Sequence, residues 1–373
     1  REDPMTVDVA SVQTAIVLQG GGALGAYEFG VLRALYEQRP GFRPVAVAGI
    51  SIGAITAAVL GGARGDPISA VDTLWREKLT VLPPVPAVWL PPQIERSLAF
   101  LGNPGMYQLR PEFLVAPWAA TSVYDTAPLR RTLDKLVDLG KLNRGETRVI
   151  VGAVGVGTAE MTYFDSRRPG GLTLDHVVAS GSLPPSFPMT RIESKEGGGW
   201  YWDGGLFSNT PLSPAINALE EAGGGDPKVQ RELIVVELFP MEAPIPATMP
   251  DVLERMVHLQ YTSRLKLDEK FFDRIDRVVD LVDRIDAELP PDSPIRRDPV
   301  YQEVRGYRKI NRFHVLTSSL PPELSKASDF SRASIEARIQ AGYDDAVAQG
   351  IGRFVAGGPR RVQPVDPGQQ GAA

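Results

Sequence analysis

Two periods of apolar residues alternate along this chain. The stretch TAIVLQ (14–19) is short and continuously apolar, as a buried strand is, and it runs into 23–38, where Ala23, Tyr27, Val31 and Leu35 keep helical spacing. The pair repeats at once: PVAVAG (44–49) predicts a second buried strand and the residues from Gly53 to about Leu60 a second helix. Further strands are expected in TRVIVGAVGV, around TRIES and GWYWDG, and in LIVVEL and RFHVLTS, with helices near 126–139, 173–180 and 212–222 between them. Strands alternating with helices predict an α/β layered domain on a mainly parallel central sheet.

From Pro250 to about Glu288, Leu267, Phe271, Ile275, Val278, Val282 and Ile285 hold helical spacing, which predicts one long amphipathic helix or two in line. Acidic residues dominate its polar side, so its apolar stripe is expected to pack on the sheet rather than on lipid. A last helix is predicted over Ser331 to Gln349, and 357–373 reads as a disordered tail. Prolines cluster in 81–111, a long proline-broken segment that also carries Trp89, Phe100, Met106 and Tyr107. Such a segment suits a lid or pocket wall, and core packing of the same side chains is the alternative.

Composition narrows the chemistry. With 40 Lys and Arg against 45 Asp and Glu, the formal charge is -5, so no net field draws the protein to nucleic acid or anionic lipid, and any membrane contact is local. There is no cysteine, which removes disulfides and thiolate chemistry, and His176, His258 and His314 are too far apart in sequence to share a helical turn. No metal and no cofactor is expected. The first residues hold acidic side chains and no apolar run of signal-peptide length, which makes a cytoplasmic location the expectation.

Two glycine motifs follow the first two strands. Gly20, Gly22 and Gly25 satisfy the G-x-G-x-x-G dinucleotide pattern, yet the second strand ends in VAVAGIS, with no carboxylate to hold a ribose. The exposed amides of such a loop at a helix N-terminus suit an oxyanion equally well. GISIG, from Gly49 to Gly53, is G-x-S-x-G at a strand-to-helix junction, where a sharp turn lifts the Ser51 hydroxyl above the sheet; an N-capping serine is the alternative. Adjacent parallel strands would bring Ser51 to the same edge as the amides of Gly20, Gly21, Gly22 and Ala23, the arrangement acyl transfer needs. For the base, each histidine reads as structural. Asp203 in GWYWDGGLFSNTPL ends an aromatic strand whose neighbours would desolvate it and make it a stronger base, although an Asp-Gly pair also reads as a turn or cap.

Taken together, QGGGALGAYEFGVL, GISIGAI, ASGSLPPSFP and DGGLFSNTPL resemble, in order and spacing, the blocks of the patatin-like phospholipase family, over roughly residues 14–240. The resemblance implies a three-layer α/β/α fold and lipid acyl hydrolysis without a metal. It assigns Ser51 as nucleophile, Asp203 as general base followed by Gly204 and Gly205, and the Gly21 and Gly22 amides as oxyanion donors. The chain is read as a flexible start (1–12), a hydrolase domain (13–320) and a helical C-terminal segment (321–356), the last resembling the extra segment of a bacterial subgroup. Where many relatives carry a basic residue after the glycine loop, this chain has Leu24, so the resemblance does not extend to a phosphate contact there. Thioesterase or polyester hydrolysis by the same residues, and a non-catalytic lipid-binding module, are the competing readings.

Overall fold

A computed structural model describes residues 12–82, 98–193, 198–226, 228–239, 245–352 and 361–362. The expectations for 1–11, for Trp89 and for most of the tail lie outside these residues. Strands are β1 (Val12–Leu18), β2 (Ala46–Ile50), β3 (Gly102–Asn103), β4 (Tyr107–Leu109), β5 (Tyr124–Asp125), β6 (Arg148–Gly155), β7 (Met161–Asp165), β8 (Thr190–Ile192), β9 (Gly199–Asp203), β10 (Gln230–Glu237), β11 (Arg312–Thr317) and β12 (Arg361–Val362). The helices that matter for the site are α1 (Gly25–Gln38), α2 (Ile52–Gly62), α3 (Leu174–Ser180), α4 (Leu212–Glu221), α5 (Met249–Glu288) and α6 (Arg332–Ala348).

The main sheet runs β12-β11-β10-β1-β2-β6-β9-β8, with β7 also on β6. From β12 to β6 every pairing is parallel; β7, β8 and β9 join antiparallel. The parallel strands are buried on both faces, which is why they read as unbroken apolar runs. One face carries α1, α2 and α3 with Leu18, Val47, Ile55 and Val177 in its core, and the other carries α4 with Val17, Ala48 and Leu219. The result is an α/β/α layering, with the second layer thinner.

Two expectations need correction. The long helix is present; of its expected stripe, Leu267, Phe271 and Ile275 lie outside the described side chains, Val282 is half-buried, and Val278 and Ile285 are exposed, so the described end of the stripe is not covered by the sheet. Spacing defines a face, not what covers it. Arg361 and Val362, in the stretch expected to be disordered, pair with Phe313 and His314 as β12. Among the described residues, no helix is long and apolar enough to cross a membrane.

Register positions the site. A strand has two hydrogen-bonding edges, and β7 occupies one edge of β6 from Ile150 to Val154. The other edge is shared end to end: β2 takes Arg148 to Gly152, ending with Ile50 opposite Gly152, and β9 takes Ala153 to Gly155, with Asp203 opposite Ala153. The residue after Ile50 and the last residue of β9 are thereby brought face to face.

Candidate active site

Ser51 sits in that gap. Its φ of 54° is in the left-handed region, strained for a residue with a Cβ, as befits a turn that swings the chain from β2 into α2 within one residue. The glycines on either side make the turn feasible: a Cβ on Gly49 would fall 2.4 Å from the Gly53 carbonyl, and one on Gly53 would fall 2.5 Å from the Leu18 oxygen. The Ser51 amide donates to Ser180 Oγ at 3.0 Å, tying the turn to the end of α3. Although Ser51 occupies the N-cap of α2, its side chain makes no capping bond. Ser51 borders the same cavity as Asp203, and its hydroxyl favours the ionised form of that carboxyl.

Asp203 is 1% exposed. Its backbone amide donates to Ser182 O at 3.0 Å, and its Oδ1 accepts the Gly205 amide at 2.7 Å, so the Asp-Gly-Gly turn through Gly204 and Gly205 does hold the carboxyl in place. Burial pushes this carboxyl up to about 7, against the opposing pull of the Ser51 hydroxyl and the Gly205 amide. The turn-forming role read as the alternative for Asp203 is thus present in the structure.

The glycine loop comes next to Ser51 because β1 and β2 pair in parallel, Leu18 opposite Gly49. A Cβ on Gly20 would lie 2.8 Å from Ser51 Cβ. Of the four amides read from the sequence, two are engaged. The Gly20 N–H donates to Asn209 Oδ1 at 3.0 Å, while Asn209 Nδ2 returns a bond to Gly20 O at 2.8 Å; the Ala23 N–H donates to Ala327 O at 2.8 Å. Gly20 and Ala23 are therefore removed from the set of oxyanion donors. Among the described residues, the Gly21 and Gly22 amides have no acceptor, and both residues line the cavity in front of Ser51.

That cavity, about 370 Å³, is bounded by Ser51, Asp203, the three glycines and a set of apolar side chains that includes Phe100, Met106, Tyr107, Phe187, Phe239 and Phe330. Phe100, Met106 and Tyr107 thus line the cavity. Met106 and Tyr107 are also buried in the core, and Tyr107 donates its hydroxyl to Ala99 O at 2.9 Å, so wall and packing are one function here. None of the three histidines borders the cavity. His176 caps α3, accepting the Thr173 amide at 2.9 Å, and His314 is buried on β11, where burial and Arg312 push its imidazole down to about 4.

Sequence reasoning missed Ser180, Asn209 and the 325–330 loop. Asn209 was visible only as part of a turn; nothing local signals that it reaches back 189 positions to Gly20.

Residues 16–216, more than half of the chain, match the family of patatin-like phospholipases, and residues 259–349 match a second family described as patatin phospholipase. Among solved structures the chain is similar to VipD from Legionella pneumophila, with 14% identity over 91% of this chain and 66% of that one and a TM-score of 0.39. It is also similar to the ExoU-SpcU complex of the type III secretion system of Pseudomonas aeruginosa, with 16% identity over 91% of this chain and 77% of that one and a TM-score of 0.29. The chain thus spans just under two thirds of the length of VipD. None of the curated proteins searched matches it. With residues 16–216 matched to it, the chain belongs to the patatin-like phospholipase family.

Proposed function

We propose that the protein is a lipid esterase of the phospholipase A type that works through a Ser51–Asp203 dyad. The observation that carries this reading is the convergence on one cavity of Ser51, Gly21, Gly22 and a buried carboxyl whose ionisation is raised to about 7. An aspartate at its ordinary value is too weak a base to take a serine proton; desolvation brings it near the operating pH, where general-base catalysis is most effective. Ionised Asp203 takes the Ser51 proton as Oγ attacks the ester carbonyl. The oxyanion that forms is held by the Gly21 and Gly22 amides, each such donor contributing on the order of 3 kcal/mol in comparable sites. Protonated Asp203 then delivers its proton to the departing alkoxide, leaving the acyl group on Ser51. In the second half the same carboxylate takes a proton from a water that attacks the acyl-enzyme, and returns it to Ser51 Oγ as the C–O bond breaks, releasing the fatty acid and restoring the Ser51 hydroxyl.

The lining favours an acyl chain. Among the described residues bordering the cavity, Asp203 alone carries a formal charge, and the aromatic and aliphatic walls suit methylenes. The test compares hydrolysis of a p-nitrophenyl ester by the wild type, Ser51→Ala and Asp203→Asn, with circular dichroism as the fold control. Both variants should lose at least about a thousandfold in kcat. Near-normal turnover by either would remove that residue from the mechanism.

A further inference from the structure

The proposed donors are useful only if the glycine loop is held with Gly21 and Gly22 turned to the cavity, and the structure holds it from the far end of the chain. Gly22 lies at φ 55°, and a Cβ there would fall 2.5 Å from the carbonyl oxygen of Ala327. The same oxygen accepts the Ala23 amide. Ala327 belongs to a short loop ahead of α6, and that loop is gathered around one buried side chain, Arg338. Arg338 Nε donates to Leu324 O at 2.9 Å, Nη2 to Lys326 O at 2.9 Å, and Nη1 to Asp329 O at 2.6 Å, with Ala23 O at 3.5 Å from the same Nη1.

The helix carrying Arg338 is itself fixed to α1, the helix that the glycine loop opens. A Cβ on Gly30 would fall 2.0 Å from Ile339 O, and one on Gly342 would fall 2.0 Å from Tyr27 O, so α1 and α6 touch backbone to backbone. Across this contact Tyr27 donates its hydroxyl to Asp345 at 2.7 Å. Asp329 completes the frame, its carboxylate accepting the Ser331 amide at 3.0 Å and the Ser334 hydroxyl at 2.6 Å. Ala327, Ser328 and Phe330 of this loop also line the cavity.

We infer that Arg338 is a positioning residue for ester hydrolysis: it fixes the 324–329 loop so that the Ala327 carbonyl occupies the Ala23 amide and leaves the Gly21 and Gly22 amides for the oxyanion. The inference rests on the reading of those two amides given above. It gives the C-terminal segment a definite task, as part of the frame of the oxyanion site and one wall of the acyl cavity. The chemistry favours arginine. A planar guanidinium presents five donors in a fixed fork and reaches several carbonyls at once, whereas an ammonium offers three donors on a flexible stem.

The test is Arg338→Lys, with Ala327→Gly as a second, milder change in the loop itself. Turnover of p-nitrophenyl butyrate is measured per active site, the sites being counted by stoichiometric fluorophosphonate labelling, so that loss of folded protein does not lower the result. For Arg338→Lys, kcat per labelled site should fall about tenfold or more, with KM changed by less than about twofold; the labelling rate constant should fall with kcat, because the phosphonyl oxygen uses the same donors. Where Arg338→Lys does not fold, Ala327→Gly carries the test, with an expected loss of about two- to fivefold in kcat per site. Wild-type kcat per site and labelling rate in the folded variants would overturn the inference. A wild type that neither hydrolyses the ester nor labels at Ser51 would instead sink the proposed function, and this inference with it.

Discussion

Asp203→Asn should stabilise the protein in alkaline solution and much less in acid, while abolishing its activity. In the fold this carboxyl ionises near 7 because it is buried, against an ordinary value of 3.8. A carboxyl whose value is raised by folding is tolerated in its neutral form, so its stability contribution is intact below about pH 4 and is lost as pH rises through 7. At about 1.4 kcal/mol per pH step, the full span amounts to roughly 4 kcal/mol, of which about 3 accrues above pH 5. The amide side chain keeps an acceptor for the Gly205 amide and never ionises, so the variant escapes this loss. Urea unfolding of both proteins at pH 5 and pH 9 isolates the effect, because all other titrations cancel in the difference between them. The stability difference should shift toward the variant by about 3 kcal/mol between the two pH values. A difference that stays constant within about 0.5 kcal/mol would refute the claim that Asp203 titrates as a desolvated base. The same ionisation should give kcat/KM an acid limb near pH 7, rising as Asp203 loses its proton.

Three further outcomes are expected. Gly22→Ala places a Cβ at φ 55° and against Ala327 O, and should cost about 1–2 kcal/mol of stability with a drop of at least about tenfold in kcat; an unchanged kcat in steady-state assays would show that the loop conformation is not needed. Phe100→Ala, at an exposed cavity wall, should raise KM for a dodecanoate ester more than for an acetate ester, and equal effects on the two would argue against an acyl-chain role. Arg39 and Glu232 form a fully buried bidentate pair at 2.6 and 3.0 Å, so Arg39→Met should lower unfolding stability by about 3–5 kcal/mol with activity per folded molecule retained; a cost below about 1 kcal/mol would contradict that account.

What the sequence revealed and what it hid have physical causes. The placement of Gly20–Gly22 beside Ser51 was legible because it depends on two strand–turn–helix units that follow each other directly, and β1 and β2 pair as such units do. That Ser51 and Asp203 border one cavity follows from β2 and β9 sharing one edge of β6, a matter of register that no periodicity encodes. The strand β7 was missed because its residues are mostly half-buried and show no clear alternation. The assignment of amides was too generous at Gly20 and Ala23. Which donors are spent depends on Asn209 and Ala327, distant residues whose contacts leave no local mark. Likewise, the apolar spacing of α5 was correctly read as helical, yet Val278 and Ile285 face solvent.

The central claim is that Ser51 attacks an acyl carbon whose oxygen settles on the Gly21 and Gly22 amides. Its most direct test is a crystal structure of the wild type after reaction with a long-chain alkyl fluorophosphonate. The account predicts a phosphonyl group bonded to Ser51 Oγ, its oxygen about 3 Å from both amide nitrogens, and its alkyl chain between Phe100 and Tyr107. An adduct on another residue, or a phosphonyl oxygen turned away from both glycines, would contradict it.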